Sequence, residues 1–285
     1  MDTTTWLITG ASSGLGYALA EHTLDQGNQV VLAAPALEAT RELTERHPET
    51  ALAIELDVTD PAQRADAVRQ AELRFGAIDV LVNNAGIDFI GAIEEQDEDD
   101  YRRVFEVNFF GPVALLRLVL PGMRERGRGT IVNVSSMDGI ASLAANGYYS
   151  ASKFALEGLT EALWQEIEPL GLRALLIEPG VLRTGIEKRT KFSGTPIDAY
   201  AATSGAFRTM VETVGPERYP GDPARAAAAI YEVVNSDQRR HWVLLGSDAY
   251  RLVGQKLDRL RAEIETGKEI TFGTDFPNAT APPVL

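Results

Sequence analysis

The sequence predicts a doubly wound α/β fold, a seven-stranded parallel sheet with helices on both faces. Three observations carry this expectation. Seven short runs rich in β-branched and other apolar residues recur along the chain, and each is apolar at successive positions, so it has two faces to bury. Amphipathic stretches long enough for right-handed crossovers separate the runs. Ligands of such a sheet bind beyond the C-terminal ends of its strands, so chemistry is sought in the residues that follow each run.

The first run, "TWLIT", passes into "TGASSGLG", with Thr9, Gly10, Gly14 and Gly16. Glycines there permit a tight turn and close backbone approach to a pyrophosphate, which would sit on a helix N-terminus bearing about half a positive charge. The second run, "QVVLAA", ends at Ala34 and Pro35. The third, "ALAIEL", leads to Asp57 of "LDVTD", a position where aspartate is also a common helix cap. The fourth, "IDVLVNN", leads into "NNAG" at 83–86.

The acidic stretch "EEQDEDD" at 94–100 reads as a solvated helix start rather than a metal site, with Asp97 as the cap and more carboxylates in the first turn. In "VNFFGPVALL", Pro112 follows Asn108 by four residues; lacking an N–H and clashing with that carbonyl, it should free the Asn108 C=O and kink the helix. The last three runs are "TIVNVSS", "LRALLIE" and "HWVLLG". Between the first two of these, "GYYSASKFA" sets Tyr149 and Lys153 four apart, one turn apart on one helix face, while Tyr148 points elsewhere.

Two regions break the alternation: 184–221, which reads as an inserted lid with short helices, and an extension over 247–285, which reads as a helix followed by a Pro-containing tail. The whole, 1–285, is expected to be one domain; 45% hydrophobic residues suffice for a sizeable core. Cysteine is absent, which removes disulfides and thiol chemistry, and His22, His47 and His241 are too scattered for a metal cluster or a Ser-His-Asp triad. No metal is expected. A net charge of −14 argues against nucleic acid and anionic membranes. The chain is expected to be cytoplasmic, because no apolar run approaches the about 18 residues of a membrane span and "MDTTTWLITGAS" has neither a basic start nor a cleavage site.

The order "TGASSGLG", "NNAG", "VN" at 107–108, "SS" at 135–136, "YSASK" at 149–153 and "EPG" at 178–180 resembles the short-chain dehydrogenase/reductase family, in its single-domain branch, over about residues 5–245. The resemblance implies a Rossmann fold and reversible hydride transfer between a nicotinamide cofactor and a secondary alcohol or ketone. It implies Tyr149 as general acid or base, with a serine thirteen residues earlier, which is Ser136; counting from Tyr148 reaches Ser135 and leaves the lysine at the wrong interval. Lys153 would favour the phenolate and grip the nicotinamide ribose, Ser136 would orient the substrate oxygen, and Asn108 completes the tetrad. Tyr148 is either a wall of the cleft or, the favoured reading, a packing residue.

Cofactor contacts implied in the same way fall on Gly10, Ser12, Ser13, Gly14, Leu15 and Gly16, on Ala34 and Pro35, on Asp57 and Val58, on Asn84, Ala85 and Gly86, on Pro179, Gly180 and Thr184, and on Tyr149 and Lys153. Asn83 is expected to fix the sheet instead. Ala34 stands where an NAD-selecting acid would be and Pro35 where many NADP members carry Arg, so the sequence departs from both patterns. Without the repelling carboxylate NADP(H) is slightly favoured, with Arg41 a distant phosphate partner, and NAD(H) stays open. Asp88, Phe89, Met137 and Asp138 should line the substrate cleft by their places after strand ends. The basic residues Arg183, Lys188, Arg189 and Lys191 could attract an acidic substrate, though a solvated lid surface is favoured. The expected partners are a small carbonyl or alcohol substrate and, by family resemblance, further copies of the chain in a homodimer or homotetramer. The competing function is a non-catalytic nucleotide-binding redox sensor on the same fold.

Overall fold

The structure, a computed structural model, describes residues 3–185, 190–276 and 278–279. Its strands are β1 (Thr5–Thr9), β2 (Gln29–Ala34), β3 (Ala51–Glu55), β4 (Val80–Asn83), β5 (Phe89–Ile90), β6 (Thr130–Val134), β7 (Arg173–Pro179), β8 (Lys191–Phe192) and β9 (Trp242–Leu245). Seven of them form one parallel sheet in the order β3-β2-β1-β4-β6-β7-β9. The chain winds outward from β1 to β3, then returns to lay β4 on the other side of β1. That reversal opens a crevice at the C-terminal ends of β1 and β4, where such sheets take their ligands.

The helices are α1 (Gly14–Asp25), α2 (Arg41–Arg46), α3 (Pro61–Phe75), α4 (Glu98–Phe105), α5 (Gly111–Arg126), α6 (Gly147–Ile167), α7 (Ala206–Thr213), α8 (Pro223–Asn235), α9 (Ser247–Thr266) and α10 (Lys268–Phe272). Alternate strand residues feed two cores. Leu7, Val31, Leu81, Ile131 and Leu176 meet α3, α5 and α6, whereas Trp6, Ile8, Leu32, Val82, Val132 and Ile177 meet α1 and α8. Every residue of β1, β4 and β6 is buried, as continuous apolar runs require, while the edge strands β3 and β9 are partly open. Two helices start on Asp-Pro: Asp60 accepts from Ala62 N and Gln63 N, and Asp222 from Ala224 N and Arg225 N, with proline at the first turn.

Two expectations are corrected, those for Asp97 and for a span-length helix, and two local features are added, a π turn and a second sheet. Asp97 stands before α4, but its side chain makes no capping bond; its own N–H donates to Ser193 Oγ at 3.0 Å, and the helix end is served by Glu98, Asp99 and Asp100 in the first turn. Pro112 produces a π-helical turn at Glu106–Phe110 between α4 and α5, in which Gly111 N donates to Glu106 O. A proline and a wide turn together accommodate the missing donor. The continuous helical stretch Glu98–Arg126 is, by length and composition, apolar enough to cross a membrane, contrary to expectation. Its apolar side turns instead onto the sheet, burying Val104, Val107, Leu115, Leu116, Val119 and Met123. Finally, β5 and β8 form a small second sheet that joins the segment after β4 to the 184–221 insertion. A bridge between Leu182 and Gly221 closes the base of that insertion.

Candidate active site

Threonine and asparagine, rather than glycine alone, build the loop after β1. Thr9 Oγ1 donates to Val82 O at 3.3 Å and accepts from Asn84 N and Ala85 N, both at 3.0 Å, tying the ends of β1 and β4 together. Asn84 Nδ2 donates to Thr9 O at 2.8 Å. Gly10 and Gly14 hold φ of 65° and 59°, the left-handed region that glycine enters without cost. At Gly16 the reason is space: a Cβ would stand 2.5 Å from Gly10 O and also collide with Asn84 Nδ2. Glycine at these positions therefore keeps side chains away from the backbone that borders the crevice at the start of α1.

A cavity of about 480 Å³ runs from this loop to the start of α6. Gly10, Ser12, Ser13, Gly14, Leu15, Pro35, Asp57, Val58, Asn84, Ala85, Gly86, Ser136, Tyr149, Lys153, Pro179, Gly180 and Thr184 all line it. Three residues expected at the site do not. Gly16 is buried under the loop, Ala34 is sealed at 0% exposure at the end of β2 while Pro35 takes the wall, and Asn108 is buried at 0% beneath Gly86. Asn83 binds Asn133 Oδ1 at 2.8 Å across β4 and β6, a sheet contact as expected. Asp57 is no helix cap: its carboxylate accepts from Thr59 N at 2.9 Å and from Arg103 at 2.8 Å. Asp88, Met137 and Asp138 line the cavity, but Phe89 lies in β5 under the Lys191 ammonium, 5.7 Å from the ring centroid.

Asn108 joins three elements. Its Oδ1 accepts from Ile87 N at 2.9 Å, and its Nδ2 donates to Ile87 O at 2.9 Å and to Ser152 Oγ at 3.1 Å. Ser152 Oγ in turn donates to Tyr149 O at 2.7 Å, so the side chain on the π turn fixes the start of α6 against the end of β4. Lys153, 3% exposed, donates to Val134 O at 2.8 Å, and its Nζ lies 5.7 Å from the Tyr149 ring centroid. Tyr148 stacks on Tyr101 with centroids 4.4 Å apart, and its hydroxyl donates to Ile93 O at 3.3 Å. It packs, as favoured.

The charges around the phenol reverse one expectation. Burial raises the Tyr149 phenol, and Asp138 and Asp88 raise it further, whereas Ser136 opposes them. Lys153 itself is lowered to about 8 by burial, with Glu157 and Asp88 opposing. Burial and the two carboxylates thus favour the protonated form of Tyr149. Two more carboxyls act near Lys153: partial burial pushes Glu157 up to about 7, and burial together with Glu157 pushes the buried Glu178, at the end of β7, up to about 9. Glu178 Oε2 accepts from Val243 N at 2.9 Å.

Below pH about 9 the folded Glu178 holds a proton that an unfolded chain releases near 4.5, so raising the pH across that window favours unfolding. Glu178→Gln keeps the acceptor for Val243 and removes the titration. Its melting temperature should hold from pH 5 to 9 better than that of the parent protein, exceeding it by about 2–4 °C or more at pH 9. Parallel melting curves would show that Glu178 is ionised in the fold.

The sequence reading missed Asp248 at the start of α9, whose Oδ2 accepts from Val181 N at 2.8 Å and holds the turn after Gly180. It missed Phe207 of α7, Leu143, Asn146 and Arg103 on the cavity wall. A spacing motif could not have found them, since they arrive from elements whose placement is tertiary. Of the basic residues, Arg183 is spent on Tyr219 O at 2.6 Å and Glu217 O at 2.8 Å, and Lys191 on Phe89; Lys188 and Arg189 lie outside the described residues. Arg41 pairs with Glu38 at 2.8 Å. Among the described residues no cluster of metal-ligating side chains occurs.

The short chain dehydrogenase family profile matches residues 4–193. A short-chain dehydrogenase from Streptomyces avermitilis is 42% identical in sequence and superposes with a TM-score of 0.90, covering 96% of this chain and 100% of that one. A short chain dehydrogenase/reductase from Burkholderia phymatum, solved in complex with NAD, is 27% identical with a TM-score of 0.78, covering 100% of this chain and 99% of the other. The 3-ketodihydrosphingosine reductase of Bacteroides thetaiotaomicron is 35% identical over 80% of this chain and 82% of its own length. With the glycine loop, the parallel sheet and a family match over most of its length, the chain belongs to the short-chain dehydrogenase family.

Proposed function

We propose that this oxidoreductase interconverts a ketone and a secondary alcohol with a nicotinamide cofactor, Tyr149 serving as the general acid for ketone reduction. The observation that carries this reading is the convergence of Tyr149, Ser136 and Lys153 on one wall of the cavity whose far end is the glycine loop. The loop fits a dinucleotide, since its positive-φ glycines and the crowded Gly16 let a pyrophosphate approach the backbone at the start of α1. Bound there, the nicotinamide supplies the hydride or accepts it. Ser12, Ser13 and Leu15 would hold the phosphates, Asp57 and Val58 the adenine, Asn84, Ala85 and Gly86 the sugar side, and Pro179, Gly180 and Thr184 the carboxamide side.

The protein's own groups then do the proton work. A phenol held up by burial and two carboxylates keeps its proton at neutral pH and yields it when negative charge develops on a carbonyl oxygen. Ser136, whose hydroxyl accepts from Asp138 N at 3.1 Å, keeps its own proton to donate to the same oxygen. Lys153, anchored on Val134 O, carries the positive charge that steadies the phenolate left behind. The test is a panel of ketones and secondary alcohols with both cofactors, followed by absorbance of the reduced form. A redox sensor would bind the cofactor and turn over nothing.

NADP(H) is our first choice and NAD(H) the second, because no acid stands at the end of β2. Because Pro35 takes the wall that the sealed Ala34 does not reach, Pro35→Asp should move the ratio of kcat/KM values toward NAD by about tenfold or more, as the new carboxylate repels a 2′-phosphate and accepts from a 2′-hydroxyl. An unchanged ratio would mean that Pro35 does not face the ribose. We also propose a homodimer or homotetramer, in which a second copy covers the exposed Phe110, Leu118 and Phe154 of neighbouring helices; light scattering on the eluted protein reads the mass directly.

A further inference from the structure

We propose that the second half of α9 is an arm that pairs antiparallel with the same helix of a second copy of this chain, a contact separate from the Phe110 face. α9 docks on the body only near its start, where Ala249 and Val253 are buried. From Leu257 to Thr266 every residue is exposed, so nearly three turns of helix stand clear of the protein. A helix of that length is marginal in water on its own, and most helical stability comes from packing an apolar face. Something has to cover this one.

The arm carries the pattern of a coiled-coil seam. Tyr250, Val253, Leu257, Leu260 and Ile264 follow one another at alternating steps of three and four, which keeps them on one side of the helix. Val253 is spent on the body. Tyr250, Leu257, Leu260 and Ile264 are 76%, 52%, 43% and 61% exposed. Beyond Gly267, Ile270 and Phe272 of α10 add more uncovered apolar surface. Large apolar side chains collected on one projecting element mark an interaction face, whereas single ones scattered over a surface do not.

The charges say what covers it. In α9, "SDAYRLVGQKLDRLRAEIET", basic and acidic residues balance, so the helix lacks the basic excess that an anionic membrane or a nucleic acid selects. One flank of the seam holds Lys256 and Glu263, two turns apart and too far to pair within one helix, where only neighbours three or four apart meet. Lys256 finds no acid at those neighbouring positions, which are Leu252, Val253, Arg259 and Leu260. If a second α9 runs antiparallel, with Leu257 of each copy against Leu260 of the other, Lys256 of each copy meets Glu263 of the other, twice by symmetry. Ile264 then reaches toward the exposed Tyr250 of the other copy. A parallel pairing would set Lys256 against Arg261, like charge against like. The flank is therefore complementary to itself in the antiparallel sense.

Sedimentation velocity and light scattering on the full-length protein across a dilution series test this. The parent protein should self-associate, and Leu257→Glu/Ile264→Glu should halve its mass at equal concentration. Circular dichroism of that variant should stay that of a folded protein, because both side chains stand outside the body. Lys256→Glu alone and Glu263→Lys alone should each weaken the dissociation constant of this step by about fivefold or more, and the two together should restore it. Two residues seven apart cannot rescue each other within one helix, so restoration reports a contact between copies. A parent protein that is monomeric at every concentration would leave the seam to an unlike partner and overturns the proposal. An assembly whose mass ignores Leu257→Glu/Ile264→Glu overturns it too, as does a charge-swapped protein that associates no more tightly than its single variants. None of these measurements needs cofactor or substrate, so their outcome is independent of the hydride-transfer reading.

Discussion

Tyr149→Phe is expected to lower kcat by about 10²–10⁴-fold, the range attributed to a positioned general acid, while leaving cofactor affinity nearly unchanged. The ring stays, so its packing against the Lys153 ammonium survives; only the proton donor is lost. Lys153 keeps its bond to Val134 O, and Asn108 and Ser152 still fix the helix start through the Tyr149 carbonyl, which the substitution does not touch. Tyr148→Phe is the internal control. Its stacking on Tyr101 is retained and one hydrogen bond of 3.3 Å disappears, a cost of about 1 kcal/mol in stability and little in rate. An inactive Tyr148→Phe beside an active Tyr149→Phe would reverse the assignment.

Gly16→Ala should be the second large effect, acting on the cofactor loop instead of on chemistry. The added methyl would stand 2.5 Å from Gly10 O and would strike Asn84 Nδ2, so either the loop or the Asn84 tie between β1 and β4 must move. Overpacking of this kind costs about 1–3 kcal/mol. Shifting the phosphate loop by about 1 Å should weaken cofactor use by about a hundredfold. Gly254→Ala, in α9 with nothing within 4 Å of the new methyl, should instead stabilise the helix by about 1 kcal/mol. Chemical denaturation with a cofactor titration on both variants separates the two cases. A Gly16→Ala protein with normal stability and affinity would mean that the loop is looser than its contacts imply.

The parts of this protein legible in sequence are those set by local periodicity. Central strands buried on both faces declare themselves by unbroken apolar runs, and the partly open edge strands β3 and β9 were found by the same apolar composition. The four-residue step from Tyr149 to Lys153 is likewise helix geometry, and it puts both on the cavity wall while Tyr148 stacks on Tyr101. What escaped depends on side chains meeting from distant elements. Asp97 looks like a cap in sequence, yet its side chain is not used as one. Two-residue strands such as β5 and β8 have no pattern to read, since their pairing is decided by the insertion's path. The sign of the influence on Tyr149 could not be read from Lys153 alone, because Asp88 and Asp138 reach the phenol only after β4 and β6 are set side by side.

The most direct test of the central claim, a carbonyl reductase with Tyr149 as its acid, is isotope transfer. Reduced cofactor carrying deuterium at the transferring carbon of the nicotinamide, in NADPH and NADH forms, is incubated with the protein and a ketone that the panel shows to be consumed, and the alcohol is analysed by mass spectrometry and NMR. One deuterium on the carbinol carbon per cofactor oxidised, with the rate falling by at least about a hundredfold in Tyr149→Phe, is the predicted result. An unlabelled alcohol, or labelled alcohol formed equally fast by Tyr149→Phe, would contradict it.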